Sequence, residues 1–156
     1  MLPVTSPDIT KTALEIAARA AKVSLDHFRT SLNIEFKADE SPVTRADRAT
    51  EQAVRDMIAI NFPDDGIFGE EHGTFAGKND TLWVIDPIDG TRSFITGNPL
   101  FGFLLARLVG GVSELSITAL PALNETYLAT RGGGAWLGET RLNISAQTNL
   151  DDCALY

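Results

Sequence analysis

Asp86 and Asp89 stand three residues apart at the end of an apolar run, in Trp83-Val84-Ile85-Asp86-Pro87-Ile88-Asp89-Gly90-Thr91-Arg92-Ser93-Phe94. Trp83, Val84 and Ile85 read as a buried strand, and a strand ending there delivers both acids to its carboxyl end. Pro87 removes a backbone donor and fixes φ, while Gly90 permits a tight turn, so the segment between the acids is expected to be bent and rigid. Two carboxylates aimed into one small volume repel each other unless a cation lies between them, and hard oxygen ligands suit Mg²⁺. The N–H groups of Gly90, Thr91, Arg92 and Ser93 can open a short helix and receive an anion. Cation ligands beside an anion cradle are the parts of phosphate chemistry. A plainer reading stays open beside it, because Asp-Gly is a common turn dipeptide and Asp89 can cap a short helix. An EF-hand does not fit. Counting from Asp86, its third place holds Ile88 and its twelfth Gly97, where the loop needs an oxygen side chain and a Glu.

The elements that must carry these residues follow from periodicity and punctuation. Ser6-Pro7-Asp8 is a helix start, with Ser6 as cap and Asp8 at the positive end of the dipole. Ile9, Ala13, Ile16, Ala20 and Val23 then recur at helical spacing, which predicts a packed helix of about five turns. His27 near its end is expected to meet the last carbonyls. Ile34 to Lys37 reads as a short strand and Ala38 to Pro42 as a polar turn. Thr44 opens a second helix with Ala46, Ala49, Ala53, Val54, Met57 and Ile58 on one side, stopped by Pro63. Asp47, three residues after Thr44, fits a capping box and equally fits a carboxylate that accepts a proton from water.

Phe62 to Gly66 reads as a turn, with Asp64 and Asp65 as its solvated tip. Ile67 and Phe68 begin a strand running into Gly69-Glu70-Glu71-His72-Gly73. Adjacent acids on a strand end point to opposite sides, so one of Glu70 and Glu71 at most faces a given site. His72 has no second histidine at ligand spacing and reads as a loop residue. Phe75 to Asp80 is expected to be a loop over the site. Leu100 to Val109, the Gly110-Gly111 turn and Val112 to Ala119 form a hairpin. Pro121 ends it, and Glu125 to Thr130 and Ala135 to Ile144 add short strands around Gly132-Gly133-Gly134. The predicted fold is α+β, two N-terminal helices packed on a mostly antiparallel sheet.

Composition narrows the function classes. A chain of 156 residues with 44% hydrophobic content can build one domain with a core. A formal charge of −8 argues against a nucleic-acid surface. It does not exclude a small phosphorylated substrate, because bound Mg²⁺ reverses the local field. No apolar run is long enough to span a bilayer and no signal-peptide pattern opens the chain, so no membrane role is expected. The single Cys153 excludes an internal disulfide and fits a reducing cytoplasm. No Gly-x-Ser-x-Gly elbow, Walker A loop or dinucleotide fingerprint occurs.

Three motifs in order carry a family resemblance. Pro42-Val43-Thr44-Arg45-Ala46-Asp47, Gly69-Glu70-Glu71 and Asp86-Pro87-Ile88-Asp89-Gly90-Thr91 resemble the inositol monophosphatase superfamily of Mg²⁺-dependent, Li⁺-sensitive phosphomonoesterases. The likeness extends through Leu120 to Glu125 and Arg131 to Ala135. Within the superfamily, Arg92 to Gly102 is similar to the histidinol-phosphate phosphatase branch. The resemblance implies the N-terminal half of an αβαβα sandwich. It also implies that Glu70, Asp86 and the carbonyl of Ile88 hold one Mg²⁺, and that Asp86 bridges to a second bound by Asp89. Thr91 and Asp47 would orient a metal-activated water and take its proton, and Gly90 and Thr91 would offer N–H groups to the phosphate. Glu71 is assigned no role.

Family members are longer, and their second half carries a Trp-Asp motif that completes the second metal site. The resemblance therefore implies a metal- and phosphate-binding domain over 1–150 and the start of a truncated C-terminal domain at 151–156. Exposed apolar surface would then favour a homodimer or another partner. The expected function is hydrolysis of histidinol phosphate in histidine biosynthesis. Inositol monophosphate or another small phosphomonoester is the second reading, and a catalytically silent interaction domain the third.

Overall fold

The computed structural model describes residues 5–31, 34–36 and 42–153. Helix α1 (Pro7–His27) begins where Ser6 accepts the Asp8 N–H at 3.3 Å, and His27 Nδ1 lies 3.0 Å from the Val23 carbonyl at its other end. Strands β1 (Ile34–Phe36) and β2 (Pro42–Thr44) pair antiparallel. Lys37 and the expected turn over Ala38 to Ser41 lie outside the described residues, and Pro42 starts β2 instead of ending that turn. Helix α2 (Arg45–Asn61) follows from a complete capping box: Thr44 Oγ1 accepts from Ala46 N at 3.0 Å, and Asp47 Oδ2 accepts from Thr44 N at 2.8 Å.

The rest is one sheet. Strands β3 (Gly66–Gly69), β4 (Gly73–Phe75), β5 (Thr81–Asp89), β6 (Gly102–Val109), β7 (Val112–Leu120), β8 (Glu125–Thr130), β9 (Gly134–Leu137) and β10 (Thr140–Leu142) lie in the order β10-β9-β8-β7-β6-β5-β3-β4. The short helix α3 (Thr91–Ile95) sits between β5 and β6. Every pairing is antiparallel except β3 with β5, which run parallel with Gly69 opposite Ile85. That exception matters, because parallel neighbours end at the same edge of the sheet. The residues after Gly69 and after Ile85 therefore meet.

Alternation sorts the two faces. Trp83, Ile85, Phe103, Leu105, Leu115 and Ile117 point inward and pack with Ala13, Ile16, Ala20, Val54 and Ile58 of the two helices. The opposite face carries Leu82, Val84, Leu104, Ala106 and Leu108 and is only half-buried. A second cluster of Ala46, Ile88, Phe94 and Phe101, with Phe28 against it, anchors the turn after β5. Its rings sit at 4.9 to 5.5 Å between centroids.

Three expectations change. Asp64 is exposed and pairs with Lys78 at 3.0 Å, but Asp65 is no solvated tip. It is buried and accepts from Trp83 Nε1 at 2.9 Å and Asn79 Nδ2 at 2.8 Å, with Arg107 Nη2 at 3.6 Å. Glu70, Glu71 and His72 form the turn between β3 and β4, so strand alternation does not decide where they face. Gly73 to Phe75 is a strand, and the loop after it does not cover the acids. Lys78 N donates to Asp64 O at 2.8 Å, which docks that loop at the start of β3, the end opposite the acids.

Candidate functional site

Parallel pairing carries Glu70 to Asp86, and Glu70 N donates to Ile85 O at 3.2 Å. The ladder between β5 and β6 shifts register between Asp86 and Asp89, as the Asp-Pro-Ile-Asp segment requires. Burial pushes the Asp86 carboxyl from its ordinary 3.8 up to about 7. The charge of Glu70, a hydrogen bond with Glu70 and the charge of Asp89 act in the same direction, against the Ile88 N–H. These three acids thus share one electrostatic neighbourhood. Asp86 Oδ1 is buried and has no hydrogen-bond partner among the described residues. An orphaned buried acceptor in an all-oxygen acidic set fits a hard divalent cation. As the side chains stand, no three His, Cys, Asp or Glu among the described residues already form a metal cage.

The second half of the site is a hydrogen-bonded turn. Thr91 Oγ1 donates to Ile88 O at 3.0 Å and lies 3.4 Å from Asp47 Oδ1. The other Asp47 oxygen accepts from Thr44 N and Thr44 Oγ1 at 2.8 and 2.7 Å. The capping role of Asp47 and its approach to Thr91 are therefore both real, one per carboxylate oxygen. Burial raises the Asp47 carboxyl above the usual range, opposed by its bonds from Thr44 and Thr91. Gly90 has φ of 81°, which a side chain resists, and its carbonyl accepts from Phe94 N at 3.0 Å to start α3. The next N–H groups are the ones any helix leaves without an intrahelical acceptor.

One acid escaped the sequence reading. Glu51 is fully buried on α2 and accepts from the backbone N–H groups of Glu71 and His72. The alanine-rich face expected of α2 is rotated toward Asp47, Thr50, Glu51, Val54 and Ile58. The available signal was the spacing of Asp47, Glu51, Val54 and Ile58 along one helical stripe, with an acid where an apolar residue is usual.

The raised Asp86 carboxyl has a consequence for stability. Above about pH 4 the unfolded chain releases a proton that the folded chain keeps until about pH 7, so the folded state binds more protons across that window. Stability from this group is full below the window and is lost as pH rises through it. Asp47, shifted in the same direction, adds to the trend. In a chelator, denaturant midpoints are expected to fall between about pH 4 and pH 7 and to level off above it. After solvent screening the change is on the order of 1 kcal/mol. Saturating Mg²⁺ is expected to remove that fall; a midpoint that climbs over this window without metal would contradict it.

Two helices over one face of a mostly antiparallel sheet, with Glu70, Asp86 and Asp89 at the edge where its parallel pair ends beside the turn that opens α3, define an α+β domain with an acidic candidate site. The sequence model of the inositol monophosphatase family matches residues 7–156, and the chain belongs to that family. It is similar to a histidinol-phosphatase of Chlorobaculum parvum, 47% identical over 142 residues that make up 90% of this chain and 54% of the relative. A fructose-1,6-bisphosphatase/inositol-1-monophosphatase of Thermotoga maritima is 36% identical over 90% of this chain and 55% of its own length. The structure of a Thermotoga maritima IMPase superposes with a TM-score of 0.86 at 34% identity, covering 94% of this chain and 57% of that one. The chain spans about half the length of the curated relatives it matches. Among the described residues no helix is long and apolar enough to cross a membrane.

Proposed function

We propose that the chain is the metal- and phosphate-binding part, over residues 1–150, of a Mg²⁺-dependent phosphomonoesterase that hydrolyses histidinol phosphate in the cytoplasm. The observation that carries the reading is Asp86: its carboxyl is pushed up to about 7 beside Glu70 and Asp89, and one of its oxygens is buried without a donor among the described residues. Glu70, Asp86, Asp89 and the Ile88 carbonyl would hold Mg²⁺. When bound, Mg²⁺ supplies Lewis acidity, lowering the pKa of water and offsetting charge on the ester. Asp47 holds Thr91 at the edge of the site, and its raised carboxyl makes Oδ1 a better proton acceptor than an ordinary aspartate. Gly90 and Thr91 present backbone N–H groups toward an anionic head at the opening of α3.

Histidinol phosphate is favoured by the 47% identical relative and by the segment Arg92 to Gly102. Inositol 1-phosphate is the second reading, supported by the Thermotoga relative of that activity. A silent interaction domain is the third, supported by the half-buried apolar sheet face, on which a second copy would pack. Phosphate release from histidinol phosphate and from inositol 1-phosphate, with Mg²⁺ and with chelator, separates the three. Mg²⁺-dependent release is expected, faster with histidinol phosphate by about tenfold. A reversed preference selects the inositol ester. No release from either by a chain whose circular dichroism is that of a folded protein selects the silent domain.

A further inference from the structure

Acidic side chains are almost never fully buried unless paired, and Glu51 is 0% exposed. Its partners lie mostly in one place. Glu71 N donates to Oε2 at 2.7 Å and His72 N to Oε1 at 3.1 Å, and His72 Nδ1 lies 3.3 Å from Oε1. Arg55, one turn further along α2, donates to Oε1 at 2.7 Å and through its Nη2 to the carbonyl of Gly73. The Glu51–Arg55 pair therefore grips the β3–β4 turn from Glu71 to Gly73.

Gly69 supplies an independent observation. A Cβ built there would stand 2.0 Å from Glu51 Oε1, 2.4 Å from Cδ and 2.8 Å from Oε2, so any larger residue collides first with this one carboxylate. The carboxylate is the far end of a flexible side chain, but the donors just described tie it down. Glu70 is thus flanked by a residue packed against Glu51 and a residue hydrogen-bonded to it.

We propose that Glu51 is a positioning residue that holds the Gly69–Gly73 turn so that Glu70 faces Asp86; this rests on the reading of Glu70, Asp86 and Asp89 as metal ligands. Asp47 and Glu51, one helical turn apart on α2, then set the spacing between Thr91 and Glu70 from a single rigid element. The carboxylate itself needs no contact with metal or ester.

Mg²⁺ and Mn²⁺ titration calorimetry on the chain, with amide hydrogen exchange, tests this. Glu51→Gln keeps the shape but replaces one acceptor with a donor, and is expected to weaken metal binding about tenfold. Exchange of the turn amides at 70–73 should quicken by a similar factor while those of α1 stay unchanged. Val54→Ala, a core change on the same helix, should lower the melting temperature and leave metal affinity within about twofold. That contrast separates positioning from general loss of stability. Gly69→Ala should weaken binding as Glu51→Gln does, yet add nothing in a Glu51→Ala background, where the colliding carboxylate is gone. Should Glu51→Gln fail to fold, Gly69→Ala carries the same comparison. Metal affinity of Glu51→Gln within twofold of the parent, with Asp86→Asn weakened, overturns the role of Glu51 alone. Unchanged affinity in Asp86→Asn overturns the metal-site reading and this proposal with it.

Discussion

Asp86→Asn is expected to weaken Mg²⁺ binding at least 100-fold, roughly 3 kcal/mol, while making the metal-free chain more stable at neutral pH. Both signs come from the same geometry. Asp86 is half-buried, and its ionised form is opposed first by desolvation and then by Glu70 and Asp89. A neutral amide of the same shape carries no charge to desolvate or repel, so the stress on the metal-free fold disappears, a gain on the order of 1 kcal/mol. It also carries no charge to offer a cation, so the ligand set loses its central member. Calorimetric titration with MgCl₂ and denaturant melts in chelator read the two effects separately. A variant that binds Mg²⁺ like the parent would remove Asp86 from any metal site. One that binds poorly and is also less stable would mean that the ionised Asp86 stabilises the metal-free fold, contrary to the expected sign.

Asp65→Ala should cost about 3 to 5 kcal/mol, and Asp64→Ala next to it no more than about 0.5 kcal/mol. Removing Asp65 leaves Trp83 Nε1 buried without its acceptor. It also takes one of two anionic partners from Arg107, a 9% exposed guanidinium that otherwise pairs with Glu114 and lies 5.6 Å from the Trp83 ring. Among the described residues Arg107 Nε already lacks a partner, so losing Asp65 leaves a buried guanidinium still less satisfied. Asp64, with its Lys78 bridge in water, has no such dependants. Thermal melts of the two variants should differ by roughly 10 °C for a chain of this size. Equal melting temperatures would mean that the buried network contributes nothing to stability.

The contrast between these neighbours shows where sequence reading ends. Asp64 and Asp65 sit in the same Pro-Asp-Asp-Gly turn, and turn chemistry treats them alike. What distinguishes Asp65 is Asn79, Trp83 and Arg107, brought to it by β5 and β6 from far along the chain. Glu51 is the same case: in sequence it makes an ordinary helical pair with Arg55, and only the β3–β4 turn landing on it makes it buried. The loop after Phe75 was misplaced for the converse reason, since a strand at Gly73 to Phe75 reverses the chain and carries the loop away from the acids.

Helices, caps, hairpins and the bend at Asp86 to Gly90 were legible because each depends on residues a few positions apart: a capping oxygen, a 3.6-residue stripe, a glycine where φ is positive. The likeness of three short motifs to one family was legible for the same reason. The parallel placement of β3 beside β5, which sets Glu70 next to Asp86, belongs to the tertiary structure, as do the burial of Asp65 and the clamp of Glu51 on the turn. Those features exist only once distant segments are packed together, because desolvation and the proximity of charges are properties of the folded neighbourhood and not of any stretch of chain.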